Sequence, residues 1–384
     1  MRSENLFTPA AMLAASTART GLSDFGDPAF REGFDLLLRA VDDLDLAPEF
    51  AAASAFRIGQ SLDARALAVA GLKARPDVRG RPIKAPVVIV GLVRSGTTAL
   101  HQLMSLDPQF QGPEHWLAMY PMPRPPRDQW VNTAQYLAEK TALDSFIAAA
   151  PEAALDHMMT AEGIEESLFI LASGFSSNMW PSMWPVPAYD SWYRGRNDED
   201  SYRWLADVLR LIGADDPRRW LLKNPTDLFS LGELLTVFPD ACVVQTHRDP
   251  VDAMPSISSL IFAARRAFCG DNAAAADVGP REANFWGEAL DRAHAARSNS
   301  EAAFIDIEFH DFTRDQLGVI RSIYDVFSID LHPLTEAKMQ AWLDAHPRPV
   351  SSQGPARYAP EAFGLTRAWL EQRFAAYRAR RGYV

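Results

Sequence analysis

The chain has 384 residues, 48% hydrophobic and 23% charged, with 38 basic against 49 acidic side chains and a net charge of −11. That is the composition of a soluble globular protein. It excludes a general nucleic-acid surface, which needs an excess of Lys and Arg, and a membrane span, because no apolar run approaches about 18 residues. The two cysteines give no disulfide framework, and the first 20 residues lack the continuous apolar core of a secretory signal. The default expectation is a cytoplasmic enzyme.

Residues 1–84 read as an alanine-rich helical cap, with apolar residues at helical intervals over Phe30–Leu44 and Phe56–Leu72. The charged, proline-containing stretch Lys73–Pro86 reads as a linker. From residue 85 to 384 the pattern becomes an α/β alternation, with strands expected at Val87–Val90, Trp220–Lys223, Cys242–Thr246 and Phe304–Ile307. Such alternation predicts a parallel sheet flanked by helices on both faces. A large helical insertion, 110–215, separates the first two of these strands. It carries the proline cluster Pro121–Pro126 and the aromatic stretch Asn178–Trp192. Either the insertion builds the substrate side of a cleft or it is a plain helical lid. The small-residue run Asp271–Pro280 is expected to be a loop. The final helix, Phe363–Arg381, ends in Arg378, Arg380 and Arg381, which a solvated helix C-terminus favours electrostatically, so no partner is expected for them.

The segment Pro86–Leu100, PVVIVGLVRSGTTAL, carries the chemistry. An apolar strand leads into a turn built on Gly91 and Gly96 and then into a helix. Glycines let the backbone curl so that N–H groups point inward, and the helix N-terminus adds partial positive charge, so the turn is built for a phosphate. The glycine spacing is that of a nucleoside-triphosphate loop, G-x-x-x-x-G-K-[ST], but Thr97 stands where the lysine belongs. The cation lies inside the loop instead, at Arg94. A second strand–turn–helix segment, ACVVQTHRDPVDAMPSISSL over Ala241–Leu260, places Arg248 and Ser256 eight residues apart. Proline is tolerated in the first turn of a helix. If Pro250 opens one here, Arg248 and Ser256 can face one anion.

These two segments resemble the cofactor loops of the sulfotransferases that use 3′-phosphoadenosine 5′-phosphosulfate (PAPS), in the bacterial branch with a G-x-x-R-[ST]-G-T-T loop. Weaker strings extend the resemblance over roughly residues 80 to 380: RRWLLKNP at Arg218–Pro225, Val186–Trp192, and Arg357–Leu365. The resemblance implies a P-loop-like fold and sulfuryl transfer to a hydroxyl, less readily an amine; the aromatic stretch Asn178–Trp192 suggests a small or medium, partly apolar acceptor, since aromatic walls suit rings or alkyl chains. It implies a 5′-phosphosulfate site at Gly91, Arg94, Ser95, Gly96, Thr97 and Thr98, and a 3′-phosphate site at Arg248 and Ser256, vacated as 3′,5′-ADP. It also implies a stabilising lysine at Lys223, on the end of a strand where open α/β sheets place ligands.

A sulfuryl group carries less negative charge than a phosphoryl group, so no metal is demanded. The proton acceptor stays open among Glu114, His115, Asp227, Glu165 and Glu166, with Glu165 expected on a helix beside Leu168 and Phe169. At three positions the chain departs from the pattern of its relatives: Asp227 and Ala356 where histidine is common, and Leu117 where glutamate is common. These departures motivate an alternative, a PAP-binding relative with impaired catalysis. A second alternative is a small-molecule kinase with Asp249 on magnesium.

Overall fold

The computed structural model describes residues 6–149, 160–346 and 359–383. The chain is arranged as two compact units, residues 1–83 with 111–218 and 267–270, and residues 84–110 with 219–266 and 271–384.

The second unit carries a five-stranded sheet. Its strands are β1 (Val87–Gly91), β2 (Phe110–Gln111), β3 (Arg219–Lys223), β4 (Cys242–His247) and β5 (Ala303–Glu308), in the order β2-β3-β1-β4-β5. The pairs β1–β3, β1–β4 and β4–β5 are parallel, with Val87 opposite both Leu221 and Cys242. All five residues of β1 are buried, as a central parallel strand covered on both faces requires. On one face, Leu100, Leu103 and Met104 of the helix Thr97–Ser105 pack with Ile89, Leu221 and Val244. On the other face, Gln245 accepts a hydrogen bond from Arg297 of the helix Ala275–Ser298 (3.1 Å). The four strands expected from the sequence are present; β2, only two residues long, was not foreseen.

The first unit is helical. Phe175 stacks on Trp180 (5.8 Å between centroids), and Trp180 on Trp184 (5.9 Å). Trp180, Trp184 and Tyr189 are fully buried, so the aromatic stretch forms the interior of this unit. The Tyr189 hydroxyl donates to the Phe175 carbonyl (2.8 Å) and accepts from Ser177 N–H (3.1 Å). The helix expected from Phe56 begins at Pro48, with proline in its first turn, and runs to Ala74, into the expected linker.

Three further expectations need correction. Residues Asp271–Pro280 are not a loop. A short 3-10 turn, Gly270–Asn272, leads into the helix Ala275–Ser298, which includes Pro280. Alanine is the strongest helix former, and this segment packs against the turn Pro360–Phe363. The expected final helix is two helices, Arg367–Arg373 and Ala375–Arg381, parted at Phe374, and Phe363 lies in the preceding 3-10 turn. Left-handed Gly364 ends that turn, and Thr366 caps the next helix by accepting from Trp369 N–H (3.2 Å). Third, the basic residues of the last helix have specific partners: Arg378 pairs with Asp249, Arg380 with Asp291 and Arg381 with Glu308. Ala356, Arg357 and Tyr358 lie outside the described residues. Among the described residues no helix is long and apolar enough to cross a membrane.

Candidate active site

The loop after β1 closes on β4. A Cβ at Gly91 (φ +151°) would lie 2.0 Å from Thr246 Oγ1 and 2.7 Å from its carbonyl oxygen, so only glycine permits this approach. The Ser95 and Thr246 hydroxyls are 2.6 Å apart, and Ser95 also donates to the Leu92 carbonyl (2.5 Å). Gly96 sits in the left-handed region (φ +90°) immediately before the helix. The first helical bond beyond it runs from Leu100 N–H to Gly96 O (3.1 Å). The amides of Thr97, Thr98 and Ala99 therefore precede the helical ladder and form its N-terminal donor set.

Arg94 is exposed and holds a left-handed backbone (φ +71°). Its carbonyl accepts from Arg248 Nη1 (2.7 Å), so the two turns singled out in the sequence meet directly. The Arg248 guanidinium lies 4.6 Å from the centre of the Phe309 ring. Burial, together with the nearby Arg94 charge, pulls its pKa below the ordinary arginine value, with Asp252 opposing. Pro250 opens the helix Pro250–Cys269, and half-buried Ser256 lies within it.

Lys223 ends β3 and is 3% exposed, with Nζ 3.5 Å from Thr98 Oγ1. His101, one turn beyond Thr97 and Thr98, is buried. Burial and the Lys223 cation hold its pKa well below the usual histidine value, so the ring is neutral. Asp227, in the turn after Lys223, is 1% exposed and accepts from Asn224 Nδ2 (2.7 Å). The second unit thus brings together Gly91, Arg94–Thr98, Lys223 and Arg248, with Ser256 and Asp227 on adjoining elements. Asp249, the acid a kinase reading would place on magnesium, is taken up by Arg378 Nε (3.1 and 3.2 Å) and by Val251 N–H (3.0 Å).

The remaining acid–base candidates lie in the first unit. Glu114 is buried and accepts from Arg124 Nε (3.0 Å), an arginine that also donates to Gln111, Gly112 and Asp216. Burial pushes the Glu114 carboxyl up, against the pull of Arg124. His115 Nδ1 lies 3.2 Å from Glu139 Oε1, both side chains are buried, and the imidazole packs edge-on to Phe169. Glu165 is not on a helix. Glu114 bridges Ile164 in antiparallel fashion, Glu165 N–H donates to the Pro113 carbonyl (2.8 Å), and the helix begins only at Leu168. Glu166 N–H donates to Glu165 Oε2 (3.2 Å).

Sequence reasoning missed what surrounds Arg248. His247, just before it, is bonded on both ring nitrogens, to Asp306 Oδ1 and Tyr377 Oη (2.8 Å each). Burial holds the His247 pKa below its ordinary value of 6.5. The unfolded chain therefore binds the extra proton first as pH falls. The stabilisation is complete above about 6.5 and is lost as pH drops from there toward the folded pKa. Urea midpoints of wild type and His247→Gln, measured from pH 8 to pH 5, should converge at the acid end. A constant gap would show that this ring does not titrate as described.

The chain is similar to several known proteins. A model of the sulfotransferase family matches residues 86–333, well over half of the chain. The crystal structure of sulfotransferase STF1 from Mycobacterium tuberculosis superimposes with a TM-score of 0.86 at 32% identity, covering 96% of this chain and 98% of that one. Sulfotransferase STF9 from Mycobacterium avium gives 0.89 at 26% identity, covering 98% and 97%. The omega-hydroxy-beta-dihydromenaquinone-9 sulfotransferase Stf3 of Mycobacterium bovis is 26% identical over 186 residues, which are 46% of this chain and 45% of that relative. The match thus spans under half of the curated relative's length. The family match and the near-complete superposition on STF1 place this chain in the sulfotransferase family.

Proposed function

We propose that this protein transfers a sulfuryl group from PAPS to a hydroxyl on a small or medium, partly apolar acceptor, without a metal. The observation that carries the reading is the contact between the two turns, Arg248 Nη1 to the Arg94 carbonyl (2.7 Å), which supports their binding one nucleotide together. The residues suit the donor. Gly91 lets the turn close on Thr246, and the amides of Thr97, Thr98 and Ala99 supply donors for a phosphate. In this reading those amides and Arg94 hold the 5′-phosphosulfate, and Arg248 with Ser256 holds the 3′-phosphate.

PAPS, when bound, supplies the sulfuryl group and a phosphate leaving group. Lys223 places a buried cation beside Thr98, where negative charge would build on the leaving side, and such preorganised charge is the largest lever available to this kind of site. Glu114 and Asp227 are already bonded to Arg124 and Asn224. His115 Nδ1 lies 3.2 Å from the Glu139 carboxylate, and the general base stays open among the acid–base candidates. The acceptor class agrees in breadth with the hydroxylated menaquinone for which the mycobacterial relative is named.

The test is calorimetry with 3′,5′-ADP. Arg248→Ala removes a half-buried guanidinium and is expected to weaken binding by about 1.5–3 kcal/mol, roughly 10- to 150-fold. Equal affinity in wild type and variant would remove the 3′-phosphate site and with it the reading. Tight binding by wild type with no transfer to any hydroxylated acceptor would favour the catalytically impaired relative.

A further inference from the structure

The residues on either side of Arg248 are held by one short element. His247 accepts from the Tyr377 hydroxyl at Nδ1 and donates from Nε2 to Asp306 (2.8 Å each), and its ring lies over that of Tyr377. This tautomer follows from the acid. Burial works against the Asp306 carboxylate, but hydrogen bonds from His247 and Arg297 hold it well below the usual carboxyl range, so it can only accept. Asp249, on the other side of Arg248, takes both its contacts with Arg378 from Nε (3.1 and 3.2 Å), and Arg378 Nη2 donates to the Tyr383 carbonyl (2.8 Å). The same segment reaches β5. Arg381 pairs with Glu308, and the Tyr383 hydroxyl donates to Glu308 Oε2 (2.5 Å). Glu308 immediately precedes Phe309, the ring against which Arg248 lies.

Together, Tyr377, Arg378, Arg381 and Tyr383 fix the backbone before Arg248, the backbone after it, and the ring beside it. The network walls an open cleft of about 440 Å³ that includes Arg297, Arg380 and Arg381. Those arginines are engaged with Asp306, Asp291 and Glu308, so the cleft's cations serve the protein's own acids.

We propose that Tyr377 and Arg378 are positioning residues: through His247 and Asp249 they aim the Arg248 guanidinium at the 3′-phosphate of the nucleotide. The inference rests on the proposed role of Arg248. Two ligands separate the effects, 3′,5′-ADP and adenosine 5′-monophosphate, which lacks the 3′-phosphate. Affinities of the full-length protein for both are measured by calorimetry for wild type, Arg248→Ala, Tyr377→Phe, Arg378→Ala and Arg378→Lys.

Arg378→Ala is expected to weaken 3′,5′-ADP about tenfold, the size of one charge-assisted hydrogen bond. Adenosine 5′-monophosphate should change less than about twofold, and Arg378→Lys should restore part of the loss. Tyr377→Phe, which removes a single oxygen atom, should shift the ratio of the two affinities in the same direction and keeps the test available if Arg378→Ala does not fold. If both nucleotides weaken together in the folded variants, the segment merely supports the fold and the proposal falls. If Arg248→Ala lowers the ratio while Tyr377→Phe and Arg378→Ala leave it unchanged, the positioning role falls and the cofactor reading stands. If Arg248→Ala leaves the ratio unchanged, both fall.

Discussion

Alanine in place of Lys223 is expected to slow sulfuryl transfer about 100- to 1,000-fold while the donor, PAPS, binds within a few-fold of wild type. Lys223 is 3% exposed at the C-terminal end of β3, with Nζ 3.5 Å from the Thr98 hydroxyl of the loop. The neighbouring His101 is neutral, so it cannot take over the charge. A cation in this place acts most strongly when negative charge appears on the leaving side, and that charge grows from the bound donor to the transition state. The loss should therefore fall on kcat. Release of 3′,5′-ADP from the donor, with an added alcohol as acceptor, reports the rate, and calorimetry reports the binding. An equal loss in both would make Lys223 a ground-state ligand and remove its catalytic role.

Gly91→Ala should be among the most damaging single-methyl additions in the chain. The new Cβ would have to share space with Thr246 Oγ1 at 2.0 Å and with the Thr246 carbonyl at 2.7 Å, in a backbone conformation (φ +151°) that side chains rarely adopt. The hydroxyl cannot simply swing away, because it contacts Ser95 Oγ at 2.6 Å and the Val90 carbonyl at 3.3 Å. Backbone strain of about 1–3 kcal/mol and overpacking of about 1–3 kcal/mol together approach a large part of a typical folding free energy. Urea denaturation should show the loss. Adding Thr246→Ala should recover some of it, because the hydroxyl clash disappears while the carbonyl clash remains. A double variant no more stable than Gly91→Ala would mean that the strain lies in the backbone alone.

The sheet was legible because its inner strands are apolar runs, and the glycine turn was legible because Gly91 and Gly96 are needed for its shape. β2 is too short to leave a periodic signal. The run Asp271–Pro280 looked like a loop because small residues and a proline carry no hydrophobic period. The structure shows instead a helix from Ala275, packed against Pro360–Phe363, a contact that local pattern does not encode. The same limit applied at the site. Arg94 and Arg248 were found from their own turns, but Phe309, Tyr377 and Arg378 come from segments 61 to 130 residues further along the chain, and they matter only through their placement. Trp180 and Trp184 mislead in the opposite sense: read as walls for an acceptor, they are fully buried in stacked pairs.

The tie between Tyr377 and His247 spans 130 residues of sequence. During synthesis at about 5–20 residues per second, β4 and its arginine turn wait roughly 7–26 seconds for their anchor to emerge. Throughout that interval the turn has its own helix but neither clamp, and until β5 emerges, in the first half of it, the strand edge that β5 will cover stands open. Completion of the arginine turn's surroundings is therefore a late event in the life of the nascent chain. The interval before it is when a ribosome-associated chaperone would have most to protect.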